Sequence, residues 1–251
     1  MATYNFEGKT IFITGGSSGI GLASAKQFIE QGAQHVYIGA RDANKLAQVK
    51  QELGERISTI QVDLSRVDSI AQMAHQLQGQ KIDVLFANAG IAENNVLGDT
   101  SEAQFDASFD TNVKGVFFTV QSLLPNMVDG GNIILNASVA SNKGMNFLSV
   151  YSATKAAVRS FARTWCNDLK TRKIRVNTIS PGVTETPILT TGLKMNEESL
   201  HGLKHFLSDA VPAGRIAAAE EVARAVAFLA SDAASFVNGI ELCVDGGFTQ
   251  I

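Results

Sequence analysis

The chain has 251 residues, with 21 Lys and Arg against 24 Asp and Glu for a formal net charge of −3, a length suited to one well-buried α/β domain over 1–251. That balance excludes a protein built to neutralise nucleic-acid phosphates, and no apolar run approaches the roughly 18 residues of a membrane span. Charged residues make up only 18 %, against roughly 25 % in soluble domains, which suggests surface hidden in subunit contacts.

The first strand is expected at 10–14, followed by a helix over 19–31 whose Leu22, Ala25 and Ile29 share one face. Strands at 35–40, 57–62 and 82–87 alternate with helices over 44–53 and 67–78. A long helix over 101–127 comes next, then a strand at 132–137, a helix over 152–171 and a strand at 174–179. A helix over 219–230 and a strand at 240–244 close the chain. Strand, helix, strand, helix predicts parallel pairing through right-handed crossovers: a single Rossmann-like, doubly wound α/β sheet of about seven strands with helices on both faces. One stretch breaks the rhythm, an insertion at about 186–212 in which Ile188, Leu189, Leu193, Leu200, Leu203, Phe206 and Leu207 follow helical spacing. Lying past a strand's carboxyl end, it reads as a short helical lid over a substrate.

The start MATYNFEGKT has no apolar leader core, so a cytoplasmic location is expected. Cys166 and Cys243 are far apart in apolar contexts and read as buried free thiols. His201 and His205 stand four apart without a third ligand beside them, and no metal is expected there.

Chemistry concentrates at the strand ends. The first strand runs into Gly15-Gly16-Ser17-Ser18-Gly19-Ile20-Gly21 and then a helix, a turn that lets main-chain N–H groups approach a pyrophosphate at the positive end of a helix. Asn88-Ala89-Gly90 follows the fourth strand, Asn112 sits within the long helix, and Ser138 lies thirteen residues before Tyr151, which begins Tyr-Ser-Ala-Thr-Lys155. Later come Ser180-Pro181-Gly182-Val183-Thr184-Glu185-Thr186 and Val244-Asp245-Gly246-Gly247. In this order and spacing these motifs resemble the short-chain dehydrogenase/reductase family over essentially the whole chain.

The resemblance implies an oxidoreductase that moves hydride between a nicotinamide and a carbonyl or alcohol carbon. It implies Tyr151 as general acid/base, assisted by Lys155, Ser138 and Asn112, the last kinking its helix and placing a water that relays protons to Lys155. It assigns Gly15, Ser17, Ser18, Gly19, Ile20, Gly21, Asp63, Leu64, Asn88, Ala89, Gly90, Pro181, Gly182, Thr184 and Thr186 to the dinucleotide, along with Tyr151 and Lys155 themselves. A homotetramer built through the helices at 101–127 and 152–171 and the C-terminal strand region is implied too, and some relatives hold a structural divalent ion near the chain end, where Gln250 and Ile251 stand.

The residues support that chemistry independently. Tyr151 and Lys155 share a helical face, and an ammonium roughly 5 Å away at an effective dielectric of about 20 should lower a phenol's pKa by about two units. Tyr151 can then donate a proton to a carbonyl oxygen or accept one from a hydroxyl, while the Ser138 hydroxyl holds the same oxygen. At the end of the second strand, where a carboxylate would select NAD, stand Ala40 and Arg41, so NADP(H) is favoured. Asp42 keeps NAD(H) open, as does Ser18, where NADP-using relatives often carry a basic residue. Asp63 reads either as the adenine contact or as a strand-end turn, with Ser65 to Asp68 capping the next helix.

Val139, Ala140, Met145, Phe147 and Val150, with the lid, suggest an uncharged pocket for a small apolar ketone or secondary alcohol, the chemistry of a carbonyl reductase or alcohol dehydrogenase. A 3-oxoacyl-[acyl-carrier-protein] reductase is the alternative. Against it, Pro125 to Asp129 offer no cation for an acidic carrier, although Lys170, Arg172 and Lys173 cluster elsewhere. A dinucleotide-binding sensor without turnover would be expected to have lost the Ser/Tyr/Lys set.

Overall fold

The computed structural model describes residues 4–251. Seven parallel strands form one sheet in the order β3-β2-β1-β4-β5-β6-β7. They are β1 (Thr10–Thr14), β2 (His35–Ala40), β3 (Ile57–Gln61), β4 (Ile82–Ala87), β5 (Met127–Asn136), β6 (Arg175–Pro181) and β7 (Glu241–Val244). The helices are α1 (Gly19–Glu30), α2 (Ala43–Leu53), α3 (Val67–Gln76), α4 (Glu102–Phe109), α5 (Gly115–Leu123), α6 (Ser149–Asp168), α7 (Glu197–Ala210) and α8 (Ala219–Ala230).

The strands are apolar nearly throughout because both faces of the sheet are covered. Side chains alternate between two cores. Phe12, Leu85, Ile133, Leu135 and Val176 point to one, shared with Met73 of α3, Val116, Val120 and Leu123 of α5 and Val158 and Ala162 of α6. Ile11, Ile13, Val84, Phe86, Ile134 and Ile179 point to the other, shared with Ala25 and Phe28 of α1, Leu46 and Val49 of α2 and Val222, Val226 and Leu229 of α8. β1 and β4 are neighbours, with Ile11 paired to Val84 and Ile13 to Phe86, although the chain between them winds through β2 and β3. Their carboxyl ends therefore open a crevice at the point where strand order reverses, the place where α/β sheets bind ligands.

Several boundaries differ from expectation. The long helix over 101–127 is broken: α4 gives way to a π-helical turn, Asp110–Lys114, before α5, and Met127 already belongs to β5. The π turn is the kink that the resemblance implies at Asn112, and hydrogen bonds from Asn112 to Ile91 and Thr154 hold it. Ser65 to Asp68 form no cap, since Arg66 is the N-cap of α3 and makes no side-chain capping bond. Instead the Ser65 N–H and hydroxyl both donate to Asp63 Oδ1, at 3.0 and 2.8 Å. The two cysteines are free but only partly buried, one on α6 and one on the edge strand β7, which has no strand on its outer side. Among the described residues no helix is long and apolar enough to cross a membrane.

Candidate active site

The glycine turn between β1 and α1 is shaped by close approach. Gly15 has φ +66°, and a Cβ on Gly21 would stand 2.4 Å from the Gly15 carbonyl oxygen, on Gly15 itself 2.9 Å from Ala89 Cα. Ser18, the N-cap of α1, is extended and makes no side-chain capping bond. The first N–H groups of α1 are thus left for a bound anion at the positive helix end. A turn that excludes side chains and leads into an uncapped helix fits a dinucleotide pyrophosphate.

A chain of polar contacts runs along the strand ends from this turn. The N–H groups of Asn88 and Ala89 donate to Thr14 Oγ1, both at 3.0 Å, and Asn88 Nδ2 donates to the Thr14 carbonyl at 2.9 Å. Asn136 Nδ2 donates to Asn88 Oδ1 at 2.8 Å, and Lys155 Nζ donates to the Asn136 carbonyl at 2.8 Å. No motif of the sequence marks Asn136. Its only signal there is its place at a strand end two residues before Ser138.

Asn112 accepts from the Ile91 N–H at 2.8 Å and donates to the Ile91 carbonyl and Thr154 Oγ1 at 2.9 and 3.1 Å. These bonds draw the helix toward the β4 loop and account for the π turn. Gly90 makes room for the approach: a Cβ there would stand 3.1 Å from Asn112 Oδ1 and 3.2 Å from Lys155 Nζ.

Lys155 is 4 % exposed, and burial pushes its amine down to about 8. Its Nζ lies 5.6 Å from the Tyr151 ring centroid. Burial raises the Tyr151 phenol above its ordinary value, opposed by a hydrogen bond with Ser138. The expected two-unit depression of the phenol is therefore not what the chain produces by itself. Loss of water around the phenolate outweighs its polar neighbours, one of which, Lys155, is itself desolvated. Ser138 opens the turn after β5, where its Oγ accepts from the Ala140 N–H at 3.2 Å.

These groups face one cavity of about 390 Å³. Of the candidate residues, all line it except Gly21, packed behind the turn, and Asn112, which lies behind Thr111 and Gly90. Arg41 lines it and is exposed, and Lys45 joins it. Asp42 Oδ1 accepts from the N–H groups of Asn44 and Lys45 at 3.0 and 3.1 Å, capping α2. The apolar end is formed by Val139, Ala140, Met145, Leu148, Val183, Ile188, Leu189 and Leu193. Phe147 and Val150 do not reach it: Phe147 is 60 % exposed with φ +62°. Of α7, Leu207 packs instead with Val139, Val211 and Phe248, and Phe206 is 56 % exposed. Arg172 is not a free docking cation, since it donates to Asp129 and to the carbonyls of Leu124 and Met127.

Fold and site together define a dinucleotide-binding α/β protein with a Ser–Tyr–Lys constellation at its switch point. A family model described as enoyl-(acyl carrier protein) reductase matches residues 15–249. The chain is 38 % identical over 254 residues to oxidoreductase asL5 of Sarocladium schorii, covering 100 % of this chain and 99 % of the relative. It is 33 % identical to the 3-oxoacyl-[acyl-carrier-protein] reductase FabG of Thermotoga maritima, covering 96 % and 98 %. Among solved structures, a short-chain dehydrogenase/reductase of Brucella melitensis described as glucose/ribitol dehydrogenase superimposes with a TM-score of 0.91 at 32 % identity, covering 98 % and 99 %. A blue fluorescent protein from a metagenomic library, in complex with NADPH, gives 0.88 at 31 %, covering 97 % and 99 %. The chain belongs to the short-chain dehydrogenase/reductase family, a family of oxidoreductases that bind a nicotinamide dinucleotide.

Proposed function

We propose that the protein is an NADP(H)-dependent carbonyl reductase or alcohol dehydrogenase acting on an uncharged, apolar ketone and its secondary alcohol. The observation that carries this reading is that Ser138, Tyr151 and the buried Lys155, whose Nζ lies 5.6 Å from the Tyr151 ring centroid, share the wall of a cavity that begins at an uncapped glycine turn.

The residues of the turn, Asp63, Leu64, Asn88 to Gly90 and the run from Pro181 to Thr186 would hold the dinucleotide, which supplies hydride in reduction and takes it up in oxidation. Tyr151 passes its phenolic proton to the substrate oxygen during reduction, and the Ser138 hydroxyl donates to the same oxygen, stabilising the charge that develops on it. Lys155 stabilises the phenolate that remains, and an amine held at about 8 can itself exchange a proton near neutrality. Asn112 holds the Ile91 main chain and Thr154 behind Lys155. In this reading it also places the water that returns the proton. In the oxidative direction Tyr151 accepts the alcohol proton.

Three observations favour NADP(H) over NAD(H). No carboxylate stands at Ala40, Arg41 and Lys45 both line the adjoining end of the cavity, and Asp42 is engaged in capping α2. The substrate class follows from the absence of any charged side chain among the residues at the apolar end. Reduction of a 3-oxoacyl group on an acyl carrier protein is the second reading, favoured by the Thermotoga relative and weakened by the internal pairing of Arg172. A tetramer built on α4, α5 and α6 is supported by the partly exposed Phe105, stacked on Phe109, and by the contacts among Phe117, Phe161 and Trp165. Light scattering tests it.

Consumption of NADPH and of NADH, followed by absorbance with a panel of neutral ketones and a 3-oxoacyl thioester, tests the reading. Turnover of a ketone with NADPH in preference to NADH is expected. Turnover of the thioester alone, or of nothing, contradicts it.

A further inference from the structure

We propose that Glu241 is a positioning residue for the reacting pair: its carboxylate, on the edge strand, ties the turn that carries Ser138 to the helix that carries Tyr151 and Lys155. The inference rests on the function proposed above. None of the family motifs includes this residue, and it lies outside the residues that line the cavity.

Glu241 Oε1 accepts from Asn142 Nδ2 at 2.7 Å and from the Ser180 hydroxyl at 2.6 Å. The Ser141 hydroxyl stands 2.7 Å from the Ser138 carbonyl and 3.1 Å from the same Oε1, its one hydrogen shared between two acceptors. Ser141 also donates its N–H to the Ser138 carbonyl at 2.9 Å. On the other side, Glu241 Oε2 accepts from Arg159 at 3.2 Å, and Arg159 donates to Asn142 Oδ1 as well. Arg159 is one helical turn beyond Lys155 on α6. One carboxylate thus bonds to three segments that line the cleft: the turn after β5, helix α6 and the end of β6 just before Pro181.

A carboxylate that is only 13 % exposed needs such partners to offset lost hydration, and an apolar residue at an edge strand would serve stability as well. What an apolar residue cannot do is hold the Ser138 turn and α6 in a fixed relation. The two hydroxyls that must meet one substrate oxygen come from these two segments, and a displacement near 1 Å at a reacting group costs on the order of a hundredfold in rate.

The test compares Glu241→Ala, Glu241→Gln and Ser141→Ala in the full-length protein. Glu241→Ala should lower kcat by about 10- to 100-fold while the KM for NADPH stays within about twofold. Glu241→Gln, which keeps an acceptor oxygen for Ser141 and Ser180, should recover to within about threefold of the unmodified protein. An alanine variant with unchanged kcat, a glutamine variant as slow as the alanine one, or a loss confined to the KM for NADPH would overturn the proposal. If Glu241→Ala does not fold, Ser141→Ala decides, with a lowered kcat supporting and an unchanged kcat refuting. Should the unmodified protein turn over no carbonyl, the functional reading fails, and hydrogen exchange still decides this one. Exchange at the Ser141, Asn142 and Lys143 N–H groups must quicken in Glu241→Ala or Ser141→Ala, with α1 unaffected, or the proposal fails too.

Discussion

Lys155 donates its ammonium to the Asn136 main-chain carbonyl across 2.8 Å, fastening helix α6 to the end of β5 two residues before Ser138. This contact satisfies one of three donors on a cation that has otherwise lost nearly all its water, and the amine responds by falling from 10.5 to about 8. Between those two values the unfolded chain holds a proton that the folded chain has released, so this group's contribution to stability grows as pH rises through that window. Urea unfolding without cofactor at pH 7.5 and 9.5 should show the unmodified protein gaining about 1–2 kcal/mol relative to Lys155→Met. An unchanged gap would mean that Lys155 keeps an ordinary amine pKa.

Arg41→Ala should raise the KM for NADPH by about tenfold and leave the KM for NADH nearly unchanged. The side chain is exposed, so its charge-assisted contact with a 2′-phosphate belongs at the lower end of such energies. Initial-rate kinetics with both dinucleotides checks this, and equal effects on the two would remove Arg41 from cofactor choice.

Gly21→Ala places a methyl group where only 2.4 Å separates it from the Gly15 carbonyl oxygen, a contact that main chain on one side cannot relieve. Dinucleotide affinity, read by quenching of Trp165 or by calorimetry, should fall at least about tenfold as the turn shifts. Wild-type affinity would show that the turn is not the cradle.

Asn112→Ala removes three hydrogen bonds at a side chain that is 1 % exposed and leaves the Ile91 N–H without its acceptor. A destabilisation of about 2–3 kcal/mol in urea unfolding is expected. A loss under about 0.5 kcal/mol would mean the π turn holds without it.

Much of this was legible in the sequence because the sheet is buried on both sides. Runs such as Ile11 to Thr14 and Ile82 to Ala87 have no other reading once helices separate them, and the glycine turn, Ser138, Tyr151 and Lys155 meet at one cavity as expected. What escaped depends on contacts between distant segments. The kink at Asn112 follows from the family resemblance alone, since the contacts that make it, to Ile91 and Thr154, do not mark the local pattern. Asn136 carries no motif, because its role is to present a carbonyl to Lys155 and an amide to Asn88. The apolar stripe of α7 showed that a helix would form there but not which residues face the ligand. Leu207 turns to Phe248 near the chain end, while Leu189 and Leu193, ahead of the helix, reach the cavity.

Tyr151→Phe tests most directly whether Tyr151 moves the proton, since it removes one oxygen atom and keeps the ring. With NADPH and a ketone that the unmodified protein reduces, kcat should fall by about 10²- to 10⁴-fold while NADPH affinity stays within about twofold. Unchanged turnover in Tyr151→Phe would mean that another group moves the proton.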